Sequence, residues 1–461
     1  MGKHRKRQPP LWVATQDLPR SAAHPFYAQL NRVLDAAGFD AFVEAACAPF
    51  YAPVMGRPSL APGRYFRLLL LGYFEALDSE RAMAWRASDS LSLRSFLGLE
   101  LHDAAPDHST ISRTRRLIDV ETHQAVFTWV LQRLADAGLV KGTTIGLDAT
   151  TLEANAALRS IVRRDTGESY EAFLTRLAQA SGIETPTRED LARLDRTRPK
   201  KGSNDDWTHP HDPDARITRM KDGRTHLAHK TEHAVDLETD AVVAVTVQPA
   251  DDGDTTTMIE TLITAAEQIE QVCPVADAVR EVIADKGYHS TERLVDLETL
   301  GTRTYISEPK RKGHRRWKGN LTARDAVYRN RRRIRGARGK GLLRQRGERL
   351  ERPFAHLYRT GRMRRVHVRG QTNVLKRVLV QVGALNLGLL LRRAFGVGTP
   401  RSLQGRAAAA ATLLRSLWAT LTHLLDGEWE CHPFRPSGDR VPRTRSPFIV
   451  TLPMSTFATG C

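Results

Sequence analysis

The chemistry in this chain centres on acidic residues set in basic surroundings. Asp285 closes the apolar run AVREVIAD and is followed by Lys286 and Gly287 in VIADKGYHS. Val279, Val282 and Ile283 predict an interior strand. Gly287 lets the chain turn before a helix that Ser290 is placed to cap. Asp285 therefore belongs at the carboxyl end of a strand, where open α/β sheets keep their ligands, although an Asp in such a place also reads as a turn former. Asp148 lies in TTIGLDATTL, a second predicted strand, and Glu351 lies on a predicted helix inside a strongly basic block. If the two strands are neighbours, Asp148 and Asp285 meet across 285 − 148 = 137 positions. Converging carboxylates repel one another unless a cation lies between them. Hard divalent ions take oxygen ligands, and a pair of Mg²⁺ ions roughly 4 Å apart activates a water or a 3′-hydroxyl and stabilises the leaving oxygen of a phosphodiester. Mg²⁺ is the expected cofactor, with Mn²⁺ as its substitute.

The elements that must position these residues follow from periodicity. Residues 20 to about 138 read as helices: RYFRLLLLGYFEAL, SERAMAWRAS, SLSLRSFLGL and ETHQAVFTWVLQRLADAGL space apolar residues by three and four. In PDHSTISRTRRLI, Asp107 is placed to cap a short helix whose outer face carries Arg113, Arg115 and Arg116. Such a basic helix in a compact bundle suits a DNA groove, or is simply a solvated charged face. Strand 143–152 is followed by a polar insertion, of which ALRSIVRRDTGESYEAFLTRLAQA predicts helix and TRPKKGSNDDWTHPHDPDAR predicts loop or disorder. THLAHKTEHAVDLETDAVVAVTVQPA predicts a hairpin turning at DLETD, DTTTMIETLITAAEQIEQV a helix capped by Asp254, and TRTYISEP a short strand. In PADDGDTTT, Asp251 and Asp252 are expected to be solvated. VLKRVLVQVGALNLGLLLRRAF predicts a mostly apolar helix packed on the core.

Composition narrows the partners. The 461 residues carry 70 Lys and Arg against 52 Asp and Glu, a net charge of +18, which favours a polyanion. The LLLLGYF run falls short of the roughly 20 apolar residues of a spanning helix and no other run comes close, so no membrane partner is expected. MGKHRKRQPPLW does not read as a secretory signal, and the cytoplasm is the expected compartment. Cys47, Cys273, Cys431 and Cys461 form no C-x-x-C pair, against a zinc or disulfide scaffold. RGARGKG does not fit a phosphate loop, so no ATPase is expected.

GLDATTLEAN, ADKGYHS and RGERLERPFAHLYRTGRMRRVHVRG resemble the three catalytic stretches of bacterial insertion-sequence transposases of the DDE type, close to the IS5 and IS1182 groups. PDHSTISRTRRLI and the helices before it resemble their N-terminal domain. The resemblance covers most of residues 20 to 395. It implies a mixed α/β, ribonuclease-H-like core behind an N-terminal all-α domain, with Asp148, Asp285 and Glu351 as catalytic metal ligands. It also implies double-stranded transposon ends and target DNA as substrates, and a homo-oligomer that pairs two ends. The family's spacing around the third acid is Tyr, two residues, Arg, three residues, Glu, six residues, Lys. Here Gly347 stands four before Glu351 and Tyr358 seven after it, whereas Arg344 stands correctly before Glu348, which makes Glu348 the rival. The Glu-Arg-x-Phe context and the core-facing Phe354 and Leu357 favour Glu351. Lys286, Tyr288, Arg352, Arg359, Arg362, Arg364 and Arg365 are expected along the DNA track, as positioning contacts without base information.

The expected organisation is a basic segment 1–19, a helical DNA-binding domain 20–140, a catalytic domain 141–395 with an insertion at about 153–215, and a helix and tail 396–461. The alternatives are a metal-dependent nuclease that joins nothing and a DNA-binding protein that has lost catalysis.

Overall fold

The computed structural model describes residues 24–52, 59–199, 202–274, 278–310 and 319–400, with positions 14, 317 and 418. All but Trp418 fall in one compact unit, Met1–Gly405; the second unit is Arg406–Cys461. The expected tail 396–461 and basic segment 1–19 therefore lie almost wholly outside the described residues.

Among the described residues, seven α-helices come first: α1 (Pro25–Ala36), α2 (Phe39–Cys47), α3 (Pro62–Phe74), α4 (Glu80–Asp89), α5 (Leu91–Phe96), α6 (His108–Leu117) and α7 (Val120–Asp136). Side-chain oxygens of Ser79, Ser90, Asp107 and Asp119 cap α4 to α7, each accepting an otherwise orphaned first-turn N–H. Next come β1 (Thr144–Glu153), β2 (Val162–Arg163), α8 (Tyr170–Ala180), α9 (Arg188–Thr197), β3 (Trp207–Thr208), β4 (Arg216–Arg219), β5 (Thr225–Asp236) and β6 (Val242–Pro249). The chain continues through α10 (Asp254–Val272), β7 (Glu281–Ala284), α11 (Thr291–Thr299), β8 (Arg303–Ile306), α12 (Leu321–Arg335), α13 (Ala337–Arg359) and α14 (Gln371–Phe395).

The main sheet is mixed. β1 pairs antiparallel with β5, from Ile145 opposite Asp236 to Glu153 opposite Ala228, and parallel with β7, Gly146 opposite Ile283. β8 extends β7 in parallel, and β6 pairs antiparallel with β5. The order is β6, β5, β1, β7, β8, with β4 prolonging the β6 edge along the start of β5. The two predicted strands are thus neighbours. Val279, expected within the strand, instead takes φ 53 ahead of it.

α14 is buried nearly all round. By length and composition it is apolar enough to cross a membrane, contrary to the expectation that no such run exists, but 89% of its most apolar window is buried inside the protein. Asn386 bonds both the N–H and C=O of Val242, and Gln371 donates to the C=O of Val247. These side chains satisfy backbone groups of β6 where no strand follows, which is how a sheet edge is closed. The N-terminal helices and the sheet share one continuous apolar core, so residues 20–140 do not close off a core of their own.

The insertion departs from expectation. Residues 202–215, predicted as loop or disorder, are built in. Trp207 packs on Tyr170 and Phe173 at 5.1 and 5.2 Å within a second small core. Asp212, fully buried, accepts from His229 at 3.2 Å and from the Gly370 N–H at 3.1 Å. One tryptophan and one buried acid anchor a segment whose average composition is polar. The predicted helix is also shorter, because residues 162–163 pair with β3 and Gly167, at φ 72, turns the chain before Ser169 caps α8.

Candidate active site

Asp148 lies two residues beyond the last β1–β7 pair on β1, and Asp285 two residues beyond it on β7, so parallel register sets them level. Gly146, Asp148 and Thr150 share one face of β1, since side chains alternate along a strand. Helix α13 runs over that face. Leu350 packs against Gly146, where an added Cβ would lie 2.9 Å from Leu350 Cδ2. Phe354 stacks on His233, the partner of Asp148, with centroids 4.3 Å apart. The Tyr358 hydroxyl bonds the Thr150 hydroxyl and donates to the Thr151 C=O.

Burial raises the pKa of Asp148, and the nearby charge of Asp285 raises it further. The Ala149 N–H, Arg346 and Lys221 act in the opposite direction. Asp148 and Asp285 are both half-buried, and oxygen donors of this kind fit a hard divalent cation. Among the described residues, no group of three or more His, Cys, Asp or Glu is arranged to hold a metal.

The Asp285 turn is braced from the other face of the sheet. Asp285 accepts from the Gly287 N–H at 2.7 Å and caps the short turn Lys286–Tyr288. Tyr288 plunges inward and donates its hydroxyl to Glu232 at 2.6 Å. Glu232 is fully buried and also accepts from Thr257 and Thr261. Its neighbour on that face, Lys230, pairs with Asp254 at 2.7 Å. A Cβ on Gly287 would fall 2.5 Å from Asp254 Oδ2 and 2.9 Å from Asp285 Oδ1, so any side chain here would force one of those carboxylates to move. Asp254 is thus a first-turn residue of α10 held by Lys230, and the N-cap is Gly253, not Asp254 as predicted. Asp251 is not simply solvated: it pairs with Arg216 at 3.6 Å and accepts from Asn204. Lys230 and Glu232 were legible only as charges at alternate positions of a strand whose other residues pack inward.

The remaining predicted residues divide. Glu351 is exposed on α13, one residue beyond the Leu350 contact. Glu348 is 72% exposed and accepts from Arg352 at 2.9 Å. Arg113 and Arg116 are exposed on α6, but Arg115 is not on the outer face. It turns inward to Glu80 at 2.7 Å and Asn373 at 2.8 Å, tying α6 to α4 and α14. Tyr288 is a core residue rather than a surface contact. Arg352 lies near Asp240 at 3.7 Å besides Glu348. Lys286, Arg359, Arg362, Arg364 and Arg365 are exposed, and the Arg364–Val366 segment bonds through its backbone to Glu153 at the end of β1.

A six-stranded mixed sheet with an antiparallel meander and two parallel strands, helices on both faces, and one acid in β1 level with another just past the end of β7 define a ribonuclease-H-like core behind a helical region. Two family models match the chain: a Transposase domain (DUF772) over residues 15–117 and a Transposase DDE domain over residues 196–387. Together they span well over half of it, and the chain belongs to the DDE transposases of insertion sequences. The second match begins within α9, so Asp148 lies outside it and joins Asp285 through strand pairing alone. Searches of curated proteins and of solved structures found no match.

Proposed function

We propose that this transposase cuts and rejoins phosphodiesters at the ends of its insertion sequence, with Asp148, Asp285 and Glu351 holding Mg²⁺ or Mn²⁺. The observation that carries the reading is the level placement of Asp148 and Asp285 on adjacent parallel strands. Three acids are a sparse donor set, which suits Mg²⁺ because that ion keeps waters and takes substrate phosphate oxygens. When bound, the metal lowers the pKa of the attacking hydroxyl and stabilises charge on the leaving oxygen.

Helix geometry supports Glu351 as the third acid over Glu348. At 100° per residue, Arg349 and Glu351 flank Leu350 on opposite sides. Arg349 reaches the Leu237 C=O beside β5. The Glu351 flank is then the one toward β7, on the other side of β1. Glu348 lies about 160° from Leu350 by the same spacing, and is occupied by Arg352. Exposed Lys286, Arg359, Arg362, Arg364 and Arg365, with Arg113 and Arg116 from α6, supply phosphate contacts that position a duplex. Pairing two transposon ends calls for a homo-oligomer on double-stranded DNA.

Cleavage of the DNA flanking the gene by purified protein, with Mg²⁺ and with chelator, tests this. Asp148→Asn and Asp285→Asn should retain duplex binding and lose cleavage. Loss of binding along with cleavage would mean that these acids hold the fold. Cleavage without joining of a pre-cut end would define a nuclease instead.

A further inference from the structure

On the far side of α13 from Asp285, a cavity of about 250 Å³ opens between α13, α14 and the β5–β6 turn. Four guanidiniums line it, those of Arg349, Arg352, Arg392 and Arg393. Asp240, held at φ 71 in the turn, is the one acid among its lining residues. Arg349, Arg352 and Arg393 approach Asp240 at 3.4, 3.7 and 3.7 Å, beyond the 2.7–2.9 Å typical of a charge-assisted hydrogen bond. Asp240 Oδ1 is buried and has no hydrogen-bond partner among the described residues. With Glu348 on Arg352, four cations face two carboxylates, 4 − 2 = 2 positive charges in excess.

The donors are as notable as the charge. Arg349 spends one nitrogen on the Leu237 C=O and Arg352 one on Glu348. Arg392 and Arg393 make no hydrogen bond among the described residues. Guanidinium forks left in this state match the geometry of a phosphate group. Leu385 and Leu389 give the cavity an apolar floor, which lowers the local dielectric and strengthens attraction to an anion.

We infer that this pocket binds a backbone phosphate of duplex DNA remote from the bond being cut, an inference that rests on the proposed transposase function. One side of α13 then serves the acids and the other grips DNA, so the helix couples the position of the duplex to the position of Glu351. Asp240 occupies the pocket in place of the phosphate and competes with it.

The test is duplex binding by the full chain across a salt series, with thermal unfolding as the folding control. The variants are Arg392→Ala/Arg393→Ala, both exposed, and Asp240→Asn. The double variant should flatten the log–log salt slope by about 0.9 for one lost phosphate contact. Asp240→Asn should tighten binding at every salt concentration. An unchanged slope in a folded double variant overturns the inference, as does weaker binding by a folded Asp240→Asn. If Asp240→Asn does not fold, the double variant decides alone. Inorganic phosphate that protects wild type but not the double variant, with equal DNA slopes, would assign the pocket to a free anion and overturn it as well. Failure here with metal-dependent cleavage intact leaves the proposed function standing, whereas absence of any duplex binding by wild type removes both.

Discussion

Tyr288 and Glu232 form a buried strut at 2.6 Å between the turn that presents Asp285 and the strand beside β1. Glu232 lies opposite Ala149, the residue after Asp148, so the strut ties the surroundings of one acid to those of the other. Tyr288→Phe keeps the ring and removes the donor from a buried carboxyl. The expected cost is about 1–3 kcal/mol, read as a lower thermal midpoint, with weaker metal-dependent cleavage. An unchanged midpoint would show that Thr257 and Thr261 satisfy Glu232 unaided.

Gly287→Ala pushes a methyl group into the space between Asp254 and Asp285. One carboxylate has to move. Calorimetric titration of Mg²⁺ should show weaker binding than in wild type, while duplex affinity stays the same. Equal Mg²⁺ affinity would place the ion away from Asp285.

Asp148 sets a pH dependence. Its folded pKa is raised, by burial first and then by Asp285, so the folded chain keeps a proton that the unfolded chain has already released. Stability therefore falls as pH rises from the ordinary aspartate range through the raised value, and stays lower above it. Asp148→Asn removes that loss. Without metal, the variant should melt above wild type at neutral pH, with the gap closing below the ordinary aspartate range. Added Mg²⁺ should raise the wild-type midpoint more than that of the variant, by mass action on the folded state. A gap independent of pH would assign the effect to packing.

Arg115 and Arg113 are two positions apart and should behave differently. Arg115 is held by Glu80 and Asn373 with only 12% of its side chain exposed. Arg115→Ala should lower the thermal midpoint, by about 1–3 kcal/mol in stability. Arg113→Ala, with Arg116→Ala, should leave the midpoint unchanged and weaken duplex binding more at low salt than at high salt. Equal binding by wild type and the Arg113→Ala/Arg116→Ala double variant would remove α6 from the DNA track.

Much of this architecture was legible in the chain. Apolar spacing of three and four predicts the N-terminal helices and α14, and alternation about DLETD predicts the β5–β6 hairpin, because a strand or helix with one buried face must repeat with its own period. Asp107 was legible as a cap because an Asp before a helical run has an orphaned N–H to accept from. Asp148 and Asp285 were legible as strand residues, and their resemblance to a transposase pattern pointed to their pairing.

What only the tertiary structure decided concerns residues whose partners are distant in sequence. Local pattern cannot say that Arg115 faces Glu80 rather than solvent, or that Tyr288 turns inward to Glu232, 56 positions away. Nor does the polar composition of residues 202–215 reveal that Trp207 and Asp212 bury there, since the groups that receive them, Phe173 and His229, come from other segments. Periodicity assigns a residue to a face of its own element. Which other element covers that face is set by the assembled sheet, because the energy of burying a charge depends on the partner that folding delivers to it.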